Sequence, residues 1–164
     1  MNYLTDRKWS DIFMPEVKRI IGFHLLIETS EFVDTKEAAD LVMFVDPKKK
    51  GEVRIAVRVR SPGFLEKYPG EFTLRCDRDT GTKTELEKIL EGHGDMMFYG
   101  HATEAKDGNI KAFYIIDLNV FRKHFKPTVK KPNGDGTWFM PFKFEDFPDE
   151  LVIAKGNIEI ENEV

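Results

Sequence analysis

From Glu52 to Arg60 the chain alternates without a break: Val53, Ile55, Val57 and Val59 on one side, Arg54, Ala56, Arg58 and Arg60 on the other. A period of two belongs to a β-strand, whose successive side chains leave opposite faces of a sheet. The preceding segment, residues 39–45 (Ala-Asp-Leu-Val-Met-Phe-Val), is also strand-like. Between the two, Asp46-Pro47-Lys48-Lys49-Lys50-Gly51 supplies turn chemistry. The pair therefore predicts a hairpin with one apolar face and one face rich in arginine.

The remaining elements are read against that hairpin. Pro15 suits the first position of a helix, with Glu16 in its first turn, and Val17, Ile20, Ile21 and His24 share one face. This predicts an amphipathic helix from residue 15 to about 27, of which residues 23–27 read equally as a short buried strand. Residues 71–76 predict a third strand, 83–91 a helix closed by Gly92, and 96–101 and 110–117 two more strands. The strand–helix–strand run from Glu71 to His101 has the length of a right-handed crossover between parallel strands. Residues 119–125 predict a short helix, and the aromatic stretch 138–144 an edge strand or a cover over the sheet. The expected fold is α/β: an α-β-β-β-α-β core with a mixed sheet flanked by helices, and an aromatic C-terminal extension. We expect one domain over residues 1–164, with the core at 15–125 and the extension at 126–164.

Fourteen Phe and 41% hydrophobic residues are enough for a true core. One cysteine excludes an internal disulfide framework and a Cys-based zinc cluster. No apolar run reaches the ~20 residues of a membrane span, and a cytoplasmic protein is expected. The net charge of −4 hides a basic stretch at Lys48–Arg60, a second at Phe121–Lys131 and an acidic tail from Phe144 onward. Polyanion contact needs local positive charge only, although such runs also make ordinary solvated strand faces.

The order helix, hairpin, strand, helix, strand resembles the core of the PD-(D/E)XK nuclease superfamily, over roughly residues 15–103. The resemblance implies DNA binding and phosphodiester cleavage with Mg²⁺ held by converging carboxylates. Carried over residue by residue, Asp40 would be the hairpin acid, and Glu16, or in second place Glu28, the helix acid; Glu16 and Asp40 are the implied metal ligands. Ala56 stands where the family has a metal-binding Glu, and Arg58 where it has a catalytic Lys. Two repairs are open: an acid from Glu52, Glu71 or Asp77, or migration of the site onto Glu85 and Lys88. Lys48, Lys49, Lys50, Arg54, Arg58 and Arg60 would contact DNA. The alternatives are a non-catalytic nucleic-acid binder of the same fold, and a protein-interaction or self-assembly module, such as a homodimer, using residues 138–147 and the acidic tail.

Other constellations are weaker. The four histidines share no metal-ligand spacing, and Asp77-Arg78-Asp79-Thr80-Gly81 departs from a calcium loop. Gly92-His93-Gly94 lacks the setting of a dinucleotide loop, and Cys76 reads as a buried strand residue. Tyr99 and His101 alternate with Phe98 and Gly100, which marks either a polar pair over a site or one sheet face.

Overall fold

In the computed structural model, which describes residues 3–21, 26–28, 41–45, 51–104 and 107–157, the alternating segment is a long strand inside a six-stranded sheet. Numbered in chain order, its strands lie side by side as β1 (Leu26–Glu28), β2 (Leu41–Val45), β3 (Gly51–Arg60), β5 (Met96–Ala102), β6 (Ile110–Asp117) and β9 (Val152–Asn157). The expected hairpin is present, with Leu41 opposite Ile55 and Met43 opposite Val53. β3 and β5 run parallel, and every other neighbouring pair is antiparallel.

The apolar side of β3 is covered by helix α1 (Tyr3–Ile21). Phe13, Met14 and Val17 recur at helical spacing and bury themselves against Ile55, Val57, Val59 and Phe98. Trp9 fixes the helix to the sheet by donating its indole N–H to the Val59 carbonyl at 2.9 Å. This corrects the expected span of 15–27: the helix starts a dozen residues earlier, and Pro15 lies inside it. A proline there removes one helical N–H, which would ordinarily break a helix. Burial on both sides of it, at Phe13, Met14 and Val17, outweighs that loss. His24 lies outside the described residues.

The third expected strand, β4 (Glu71–Arg78), is not in this sheet. It pairs antiparallel with β8 (Thr137–Lys143), which also pairs with β7 (Lys131–Pro132), so the aromatic stretch is the middle strand of a second sheet rather than an edge. The expected parallel crossover from Glu71 to His101 is likewise corrected, because the parallel partner of β5 is β3. Asp95 sets that pairing. Its carboxylate accepts from the Arg54 N–H at 2.8 Å, and its own N–H donates to the Arg54 carbonyl at 2.9 Å. With β2 on its other side, β3 has no edge left for β4.

Between the two sheets sits a second core of Ala56, Phe72, Leu74, Leu86, Ile89, Met97, Ile116 and Phe121. Phe72 is its hub, with the rings of Tyr99, Phe121, Phe142, Phe144 and Phe147 within 6.2 Å. Among the described residues α3 (Glu85–Leu90) and α4 (Leu118–His124) contribute Leu86, Ile89, Leu118 and Phe121 to it, and α2 (Phe64–Lys67) follows β3. β9 extends the main sheet by pairing with β6, so residues 152–157 belong to the sheet and not to an appendage. No described helix is long and apolar enough to cross a membrane.

Candidate phosphate-binding site

The polar side chains of interest stand on the face of the main sheet turned away from α1. In the parallel register Arg58 neighbours Tyr99 and Arg60 neighbours His101, and the period of two puts all four on one face. Midway along β3 and at the start of β5 that face is apolar, with Ala56 and Met97 in the second core. Polar groups flank this apolar patch, Arg54 before it on β3 and Arg58, Arg60, Tyr99 and His101 at the carboxyl ends of β3 and β5.

Glu85 reaches this face from α3. Thr84 caps the helix: its hydroxyl accepts from the Glu87 N–H while the Glu87 carboxylate accepts from the Thr84 N–H, a capping box. That fixed start turns Leu86 and Ile89 into the core and presents Glu85, the first helical residue, to β3. Arg58 Nη1 donates to Glu85 Oε2 at 2.6 Å, and the Arg75 N–H donates to the same oxygen at 3.3 Å. The Arg58 and Glu85 side chains are only 17% and 21% exposed, so the pair is shielded from solvent.

Arg60 and His101 share a cover. The Arg60 guanidinium lies 4.1 Å from the centre of the Phe64 ring, and the same ring stacks on His101 at 6.1 Å and 23°. Tyr99 and Tyr114 present their rings edge-on to His101 at 5.6 and 6.5 Å. The Tyr99 hydroxyl is itself held, accepting from the Thr73 N–H at 3.2 Å. His101 is 1% exposed. Burial, with the nearby Arg60 charge, lowers its pKa to about 4, so the ring is neutral at physiological pH. Burial first and Arg58 second lower Arg60 to about 10, which still leaves it charged.

Both ring nitrogens of His101, and Nε of Arg58 and of Arg60, are buried without a hydrogen-bond partner among the described residues. Native proteins satisfy nearly all such groups, because leaving one buried and unpaired costs about 1–3 kcal/mol. Several such groups stand together at the carboxyl ends of β3 and β5. Guanidinium forks match phosphate or carboxylate oxygens, and a neutral imidazole adds one N–H donor.

The other predicted residues scatter. Glu16 is on α1, tied to Arg19 by two hydrogen bonds at 2.7 and 2.8 Å, and β3 lies between it and Glu85. Lys88 follows Glu85 on α3, half-buried. Glu71 opens β4 opposite Lys143, and Asp77 is held by Lys130 at 2.8 Å. Glu28 and Glu52 lie on β1 and β3, and Arg54 is half-buried on β3. Asp40, Lys48, Lys49 and Lys50 lie outside the described residues. Ala56 is buried in an apolar cluster that a carboxylate would enter only at a heavy desolvation cost. In the second basic stretch, Arg122 donates to the carbonyls of Ile89, His93 and Gly94, closing the end of α3. Cys76 is half-buried, and burial raises its thiol pKa.

Among the described residues no three His, Cys, Asp or Glu side chains gather as a divalent cation would require. Glu85 already accepts from Arg58 and the Arg75 N–H, so the described residues alone do not make a site that fits Mg²⁺. No family model, curated protein or solved structure matches the chain. The roles of these residues therefore rest on geometry. The sequence signal for His101 was its alternation with Tyr99; nothing in sequence order joined it to Phe64, Tyr114 or Thr73.

Proposed function

We propose that the chain binds nucleic acid through phosphate groups, with Arg58 and Arg60 as the contacts. The observation that carries this reading is the pair of neighbouring guanidinium groups on a shielded strand face, each with a buried Nε that has no partner among the described residues, beside the carboxylate of Glu85. Arginine cannot relieve the strain of burial by losing its proton near neutrality, so an incoming anion is the available source of compensation. Phosphate oxygens accept the planar fork in a way a solvated lysine contact does not reproduce. The overall charge of −4 does not oppose this, since the field that matters is local. The test is DNA affinity measured across a salt series. Binding should weaken linearly on a log–log plot, and Arg58→Gln and Arg60→Gln should each reduce the slope by about one. Salt-independent or absent binding would sink the proposal.

A second reading, Mg²⁺-dependent phosphodiester cleavage, is favoured by one feature. Along the main sheet the elements run α1, β1, β2, β3, then α3 and β5, which is the helix, three strands, helix and strand of the nuclease resemblance with β1 as its first strand. In that reading Asp40 and Glu85 are the carboxylates, and Arg58 and Lys88 the neighbouring cations. Divalent-dependent nicking lost in Asp40→Ala, with the fold intact by circular dichroism, is expected. Undiminished nicking by that variant removes Asp40 from the site.

A further inference from the structure

The depth of His101 narrows what the site takes, provided the nucleic-acid reading above holds. We propose that Arg60 and His101, roofed by Phe64, seat the terminal phosphate monoester of a nucleic-acid strand. An internal phosphodiester is flanked by chain on both sides and is best met by exposed cations on a surface. His101, 1% exposed beneath an aromatic ring, is reached only by a group with a free end. A monoester has three terminal oxygens, against two on a diester. They match the buried donors: Nε of Arg60, Nε of Arg58 and one N–H of the His101 ring.

Entry requires the roof to lift, and residues 61–70 are built to allow it. α2 has no buried residue, and the segment contains Pro-Gly at both ends, with Gly63 at φ +86° and Gly70 at φ +72°. Positive φ is a conformation that glycine adopts freely and other residues rarely do. The roof is held by Phe64 lying on Arg60 and His101, and by the ion pair between Glu66 and Lys111 of β6. Once displaced, the Phe64 ring, packed 5.1 Å from the Tyr68 ring, is placed to stack on the terminal base.

The experiment compares one fluorescent single-stranded oligonucleotide carrying a 5′-phosphate, a 3′-phosphate or neither, by anisotropy on the unaltered chain at fixed salt. One phosphorylated form should bind about tenfold or more tightly than the hydroxyl form, and Arg60→Gln should erase that gap. Phe64→Ala, which removes the roof while keeping every donor side chain, should speed association of the phosphorylated form. Equal affinity for all three oligonucleotides overturns the strand-end proposal while leaving nucleic-acid binding standing. Absence of binding to any of them removes both. Inorganic phosphate and a deoxynucleoside monophosphate are the competitors: if either displaces the phosphorylated strand at that strand's own concentration, the seat serves a free anion and the assignment to strand ends falls.

Discussion

The two faces of β3 and β5 are made by the same residues in alternation, yet they are finished differently. Against α1, Ile55, Val57, Val59 and Phe98 meet Phe13, Met14 and Val17, and the face is apolar throughout. Against α2, α3 and β4 the face is apolar at Ala56 and Met97 and ends on Arg58, Arg60, Tyr99 and His101. The first arrangement maximises burial of apolar surface. The second gives some of that up by enclosing polar atoms that have no hydrogen-bond partner among the described residues. A face optimised only for stability would carry Val or Leu at those four positions, and the proposed binding role rests on that departure.

The largest effect should come from the hub of the second core. Phe72→Ala removes a fully buried ring from five aromatic neighbours and should cost about 3–5 kcal/mol in urea unfolding. Phe13→Ala, fully buried against the other face, should cost a similar amount. The two should differ in function. Below the unfolding transition Phe13→Ala should keep full DNA affinity, whereas Phe72→Ala, which touches Tyr99, should weaken it. Equal losses of affinity would break the division between a structural and a binding face.

His101 tests the polar face by pH. Its folded-state pKa of about 4 lies below the ordinary value of 6.5. The unfolded chain therefore binds more protons than the native one between those values. Stability should be fully present above pH 6.5 and fall as pH drops through the window towards 4, by about 3 kcal/mol at most. Among the described residues the groups facing the imidazole are Arg60, whose pKa of about 10 lies above that range, the rings of Tyr99 and Tyr114, and Phe64 above it. His101→Phe should flatten this part of the stability profile and raise stability at pH 5, while reducing DNA affinity. A profile left unchanged by the substitution would show that the buried imidazole is not the group responsible.

The pair beneath it should respond more modestly. Glu85→Gln keeps a hydrogen-bond acceptor but takes the charge from the shielded Arg58, and should cost about 1–3 kcal/mol. Without the competing carboxylate, Arg58 is free to meet phosphate, so DNA affinity at low salt should rise under the binding reading. Under the cleavage reading the same substitution should abolish Mg²⁺-dependent nicking, and this divergence separates the two.

How far the sequence disclosed all this depends on how local each signal is. The hairpin, β5, β6, α3 and α4 were legible because each is specified by its own periodicity and its own caps, such as Thr84 with Glu87. β4 was found as a strand but placed in the wrong sheet. Its partner, residues 137–143, is some sixty residues away, and nothing within Glu71–Arg78 says which sheet it joins. The start of α1 was hidden by Pro15, whose local meaning is helix entry; only packing of Phe13 and Met14 on β3 overrides it. In the site, Arg58 and Glu85 were both singled out, but for other roles and not as a pair. The meeting of Arg60, His101 and Phe64 depends on a parallel strand register that no local pattern encodes.

The smallest effect on stability should come from the strap that holds the roof, where it serves as the finest probe of the binding face. Glu66 is 54% exposed in its ion pair with Lys111, and exposed pairs contribute little to global stability. Glu66→Gln should therefore leave the urea midpoint unchanged. Its effect should be local: the amides of Lys67 and Tyr68, which donate to the Gly63 and Phe64 carbonyls, should exchange with deuterium faster. The amides of β3 should keep their protection, since α1 and β5 hold that strand independently of the roof. Accelerated exchange confined to residues 64–68 would show α2 opening as a unit above Arg60 and His101. Exchange that quickens along β3 as well would mean the roof is part of the sheet's own stability, and the contrast between a structural face and a binding face would have to be redrawn at Phe64.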